Sequence, residues 1–575
     1  MDVAGITGGA EGYKSGRGKR KSFFCIFFFF SIITDHKREQ YIDLHTVGEL
    51  RVIIVAMRLP WIKKNVDLEP KTGDEPHDSN FIEKKLGLSK KGAIFAAGAS
   101  LFSDGYANAS IGPATTIIKT YVYPDLFESR PVNSRLLPAI AFAGIIVGQL
   151  SFGWISDKVG RKFGMLLCTG IVFVFSALQA ASKGVGGAQG TINALIAYRF
   201  LVGIGIGGEY PTGSVAAAEN TEDPDIPKAS QQRLFVLATN SMIDAAFVIS
   251  YFVCLVLLWI FGMNHLNAVW RMTLGLGCVP PLFLFYFRLK MKEPESYEKY
   301  SMKHTRIPYW LIIKRYWVKL AAVSITWFLY DWITYPFGLY ATPITDAADP
   351  NGTLYTSIGW GCLINFFYLP GTLFGAFIVD YLGPKYCMIF GLCMQAIFGF
   401  VLSGCYNLLT QPHRIAGFAI LYGFFLSFGE VGPGNNLGLL ASKAIGPTAA
   451  RGQLYGIAAA VGKVGAFIGT YTFPQIQASF GKHGQYAEDT GVFYLGSALA
   501  LVSALITLIF IPNIQPDAMH DEDIAFREYL EANGFDTSKM GLKDTASDVE
   551  VGDGSGDEKN NKISNERIET HALAI

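Results

Sequence analysis

Apolar runs of about twenty residues recur along this chain, and a helix of that length matches the roughly 30 Å hydrocarbon core of a bilayer. They lie near 93–113, 136–156, 163–182, 192–218, 234–261, 269–288, 317–341, 356–380, 386–406, 414–441, 452–473 and 491–511. Backbone polar groups in hydrocarbon must be satisfied within their own segment, so each run is expected to be helical. The expected fold is an all-α, polytopic membrane protein with about twelve transmembrane helices. Composition agrees. Of 575 residues 50% are hydrophobic and only 17% charged, against about 25% charge in a soluble domain. The net charge of +1 gives no electrostatic basis for nucleic-acid binding. The 8 cysteines stand singly, mostly in apolar runs, which points to buried free thiols rather than disulfides or a metal site. No metal and no cofactor are expected.

The spans divide the chain into five parts: an N-terminal region (1–91), a first six-helix bundle (92–288), a central loop (289–316), a second bundle (317–512) and a tail (513–575). The N-terminal region is polar and expected to be mostly disordered. It holds one short apolar run, Phe23 to Ile33, behind Lys14, Arg17, Lys19, Arg20 and Lys21, and Met57 is a plausible alternative initiator. The tail is charged and Gly/Ser-rich toward its end, also expected to be disordered, with a short helix over roughly Asp521 to Asn533. Lys and Arg concentrate after the second span (Lys158, Arg161, Lys162) and in the central loop, while loops 262–267 and 342–355 hold none. The positive-inside rule then puts both termini and the central loop in the cytoplasm, and the protein is expected to be a multi-pass protein of the plasma membrane. The sequon at Asn351 would face outside as a glycosylation site.

The chain also repeats itself. GWISDKVGRK follows the second span and GAFIVDYLGPKY the eighth. Asp157 and Asp380, Gly160 and Gly383, and Lys162 and Lys385 are separated by one common interval, so two six-helix units share one orientation. Charge beside a helix end, with Gly for the tight turn, can latch neighbouring helices. Asp157, Arg161, Lys162, Asp380 and Lys385 are the expected cytoplasmic gate. The pattern resembles the major facilitator superfamily over about 93–512. That resemblance implies a substrate site midway between the halves and alternating access by rocking.

Charge inside a span is costly and usually faces the bundle interior. The candidates are Asp104, Glu209, Asp244, Asp331, Glu430 and Lys463. Gly205, Gly207 and Gly208 thin the helix before Glu209, and Pro211 follows it. Trp327, Asp331 and Tyr335 recur at a spacing of four, on one helical face. Lys463 reads as the one clear mid-span cation, and a lone buried ammonium needs a partner. Five acids against one base leave excess negative charge, so an anion enters only if some acids are protonated. Proton coupling through Asp104, Glu209, Asp244, Asp331 and Glu430 follows as an expectation.

GIGIGGEYP, WFLYD and AAVGKVGAF resemble the phosphate:proton symporter branch of the superfamily. The resemblance implies an anion site at Glu209, Tyr210, Trp327, Asp331 and Lys463, which Tyr335 can join. RFLVGIGIGGEYPTGSVAAAE, QRLFVLATNSMID and DIAFREYLEANGFDTSKMG are similar to fungal glycerophosphodiester permeases, importers of glycerophosphoinositol or glycerophosphocholine. Two departures from the phosphate carriers stand out. Glu209 replaces their usual Asp, and their Gly-Pro-Asn is here Gly432-Pro433-Gly434-Asn435-Asn436, so either Asn435 or Asn436 qualifies. The expected substrate is a small anionic phosphodiester carried with protons across the lipid bilayer. Its oxygens only accept hydrogen bonds, which suits Lys463, Tyr210 and Asn435 or Asn436, while head-group hydroxyls suit Asp331 and Glu209. Inositol and choline both stay open. Inorganic phosphate, a sugar (EPES, Glu293 to Ser296, is similar to that branch) and a non-transporting nutrient sensor are the alternatives. An enzyme is disfavoured, because neither a nucleophile–base pair nor a phosphate-binding glycine loop stands outside the spans.

Overall fold

The computed structural model describes residues 88–342, 344, 352–411, 414–515 and 517–541. The N-terminal region to residue 87 and the Asn351 sequon lie outside them. Among the described residues, ten helices are long and apolar enough to cross a bilayer. They are Val132–Lys158, Arg161–Ala180, Ala188–Thr221, Lys228–Phe261, Met263–Leu289, Leu354–Leu382, Pro384–Gly404, Ile415–Lys443, Thr448–Gly481 and Gln485–Phe510. Two more segments complete twelve spans. The first is broken into Lys90–Gly98, Leu101–Ala109 and Ile111–Ile117, and the seventh is the single helix Tyr309–Leu339. The first span escapes a length criterion because of its breaks. The seventh carries Lys314, Arg315, Lys319 and Asp331, which lower its mean hydropathy.

The repeat recurs in three dimensions. Gly160 and Gly383 both have positive φ (143° and 76°) and each turns the chain between two spans. Spans four and ten each widen into a π-type turn, at Tyr210–Ser214 and Glu430–Gly434. Such turns displace the helical hydrogen bonds locally and recur at functional sites. Small residues let the backbones of spans two and four touch: a Cβ on Gly148 would stand 2.1 Å from the Ile204 carbonyl oxygen. That is the small-residue packing expected of helices in lipid, where apolar side chains gain little by leaving the tails. Leu282, Phe283, Leu505 and Ile509, on spans six and twelve, are exposed on the outside of the bundle.

The halves meet where span two packs on eleven and span five on eight. Beyond span twelve the helix Ala518–Ala532 returns to the face bearing the central loop. It buries Met519, Phe526 and Leu530 there.

Candidate functional site

The centre of the bundle holds a cavity lined by both halves. Span seven turns Trp327, Tyr330, Asp331, Thr334 and Tyr335 toward it, and Lys463 comes from span eleven. Lys463 Nζ donates to Asp331 Oδ2 at 3.0 Å and to the Tyr335 hydroxyl at 2.7 Å. It also lies 4.1 Å from the Tyr335 ring centroid and 5.2 Å from that of Tyr210. Such cation–π contacts add to the ammonium's stabilisation where water is excluded. Tyr210 donates its hydroxyl proton to Asp104. Trp327 packs edge-on to Tyr455, with ring centroids 5.7 Å apart.

A second polar cluster lines the same cavity. Asp244 of span five and Glu430 of span ten are 1% and 2% exposed. Asn240 Nδ2 donates to Glu430 Oε2 at 2.8 Å, to Asn435 Oδ1 at 3.0 Å and to Asp244 Oδ2 at 3.4 Å. The hydroxyls of Tyr330 and Thr372 donate to Glu430 and Asp244 respectively.

Three expectations need correcting. Glu209 does not line the cavity. Arg288 Nη1 reaches its carboxylate at 2.7 Å, and Ser100 Oγ donates to it at 2.7 Å. Arg288, the last residue before the central loop, turns back into the first bundle, fully buried, and also donates to the backbone carbonyls of Ala96, Ala97 and Met165. Lys463 is therefore not the one buried cation. Third, of the two asparagines only Asn435 lines the cavity. Asn436 donates to the Gly432 carbonyl at 2.6 Å and closes the π-type turn.

On the central-loop face the halves are bolted together. Asp157 takes Arg161 Nη1 at 2.5 Å and, from the other half, the backbone N–H groups of Gly452 at 2.9 Å and Gln453 at 2.8 Å. Arg161 and Arg451, one from each half, converge on Glu219 at 3.0 and 3.3 Å. Asp380 accepts from the Arg233 N–H at 3.2 Å, and Lys443 meets Glu222 at 2.9 Å. Lys162 turns away from this seam to the Leu289 carbonyl at 2.8 Å. Lys385 sits in the first turn of span nine and crosses to the other half in no described bond. Glu293, of the EPES stretch, accepts from the Arg161 and Lys162 N–H groups at 3.2 Å and caps span three. Burial pushes its carboxyl above the usual range, against those same N–H bonds. On the other side of the bundle a second space, lined from both halves by Thr115, Lys119, Tyr340 and Phe473, opens between them.

The sequence matches the family model described as sugar (and other) transporter over residues 92–305 and 295–518. The chain belongs to that family of the major facilitator superfamily. Among this transporter's relatives, a glycerophosphocholine permease of Candida albicans is 46% identical over 81% of this chain and 87% of its own. The major glycerophosphoinositol permease of the same organism is 44% identical over 78% and 83%. An inorganic phosphate transporter of Toxoplasma gondii is more distant, 27% identical over 66% and 65%. A solved proton:xylose symporter superposes with a TM-score of 0.63 at 18% identity, over 75% of this chain and 97% of that one. That likeness bears on the fold alone.

Proposed function

We propose that this transporter imports a glycerophosphodiester together with protons by alternating access, binding it in the central cavity. The observation that carries the reading is Lys463, a buried ammonium facing a cavity shared by both halves and flanked by hydroxyl donors and aromatic rings. A phosphodiester oxygen is the acceptor that such a charge-assisted donor favours. The names of the relatives at 43–46% identity point the same way.

The bolted central-loop face and the space opposite it support alternating access, with the central-loop side as the shut one. Orientation follows from the positive-inside rule, with the shut side and both termini cytoplasmic, and the permease names of the relatives support a plasma-membrane location. Asp331, paired with Lys463 in the cavity wall, is the carboxyl whose protonation would free that ammonium for an entering anion. Nothing in the reading calls for bond-making, so the role is carriage and not catalysis. Uptake of labelled glycerophosphoinositol, glycerophosphocholine and phosphate by cells lacking their own carriers tests it. Saturable entry of a glycerophosphodiester is expected, and entry of phosphate alone contradicts it.

A further inference from the structure

We infer that Asp244 and Glu430 form a head-group subsite for a positively charged alkylammonium, so that the favoured substrate is a zwitterionic glycerophosphodiester. This rests on the glycerophosphodiester reading above and adds to it the charge of the head group and the residues that select it.

Buried carboxylates in this protein are generally matched by a cation. Glu209 has Arg288, Asp157 has Arg161, Glu219 has Arg161 and Arg451, and Asp331 has Lys463. Among the described ion pairs none includes Asp244 or Glu430, although both line the cavity. Asp104 also has no described ion pair, but it lies behind Tyr210, outside the cavity lining. An uncompensated carboxylate away from water is costly, and two that share one amide nitrogen are more so. Their hydrogen-bonding needs are already met by Tyr330, Thr372 and Asn240. A polyol hydroxyl therefore adds little to this wall, because what the wall lacks is positive charge.

The cavity thus has one wall, on spans seven and eleven, that presents an ammonium, and another, on spans five and ten, that presents two carboxylates. A ligand with a phosphate at one end and an ammonium at the other complements both. Phe247 and Tyr330 line the cavity beside the acids, and aromatic faces favour a methylated ammonium.

The test is the uptake of labelled glycerophosphocholine, glycerophosphoethanolamine and glycerophosphoinositol by cells lacking their own carriers, with KM measured for each. The expected result is a KM about tenfold or more lower for the two ammonium esters than for the inositol ester. Asp244→Asn and Glu430→Gln should each collapse that ratio toward one. An inositol ester taken up as well as the others by the unaltered protein overturns the proposal without needing a variant. Variants that raise all three KM values by the same factor overturn it as well, and assign the pair to proton binding. Failure of the underlying reading looks different: no ester enters while labelled phosphate does, and both then fall.

Discussion

Lys463 and Asp331 form a buried ion pair 3.0 Å long between spans eleven and seven, and Tyr335 takes a second Lys463 proton at 2.7 Å. An entering anion must share or replace Asp331 as the partner of that ammonium. Removing the competing charge without removing the side chain separates binding from coupling. Asp331→Asn is expected to keep binding the phosphodiester and to exchange it across the membrane, but to lose accumulation against a gradient. Counterflow compared with net uptake in the same vesicles checks this. Loss of both, in protein that reaches the membrane, would make Asp331 a ligand for the substrate and not a partner of Lys463.

Glu209 and Arg288 are expected to act through stability. Each is buried and the pair spans 2.7 Å. Breaking a buried pair by removing one partner costs about 3–5 kcal/mol. Arg288→Ala should lower the melting temperature sharply and reduce the amount of protein in the membrane. The KM of the molecules that do fold should stay near that of the unaltered protein. A raised KM with normal stability would return Glu209 to the substrate site.

The seam around Asp157, Arg161, Glu219 and Arg451 should set how often the central-loop face opens. Arg161→Ala removes charge-assisted bonds to Asp157 and Glu219, each worth roughly 1.5–3 kcal/mol. A cysteine placed at Leu437, in the cavity wall, should then react with a thiol reagent supplied from that face about tenfold faster or more. Unchanged labelling would mean that the seam does not limit opening.

The tail helix is pinned by Asp523, which accepts from the Thr448 N–H at 2.6 Å and the Thr448 hydroxyl at 2.5 Å while 2% exposed. Asp523→Ala should leave a buried N–H without its partner, at a cost on the order of 1–3 kcal/mol. A lower melting temperature and faster proteolysis after residue 512 are expected. Normal resistance to both would show that the apolar contacts of Phe526 and Leu530 hold the helix by themselves.

Proton coupling makes a separate demand. If buried carboxyls load as neutral acids, uptake at an external pH of ~5 should exceed uptake at ~7.5, since protonation is easier at the lower pH. It should also collapse with a protonophore. Uptake indifferent to both would exclude proton symport.

The spans were legible because hydrocarbon leaves the backbone few options, so apolar runs mark helices, although the breaks in the first span were not visible in its apolar length. The face carrying Trp327, Asp331 and Tyr335 was legible from helical spacing, and Lys463 from its isolation in an apolar run. Arg288 was not. It closes an apolar run and heads a basic loop, where positive-inside statistics account for it fully, and only packing shows that its side chain folds back onto Glu209. Asn240 carries no charge, and although it lies one helical turn before Asp244, its bond to Glu430 depends on how the two halves meet. Asn435 and Asn436 are adjacent, and the π-type turn at Glu430–Gly434 decides which of them faces the cavity.

The most direct test of the central claim is the affinity of purified Lys463→Ala protein for a labelled glycerophosphodiester, with its melting temperature measured on the same sample. Losing charge-assisted bonds of roughly 1.5–3 kcal/mol predicts binding weaker by about tenfold or more. Lys463→Arg should restore it only in part, because the planar guanidinium places its donors differently from an ammonium. Binding by folded Lys463→Ala protein at the affinity of the unaltered chain would contradict the account and remove the phosphodiester from this cavity.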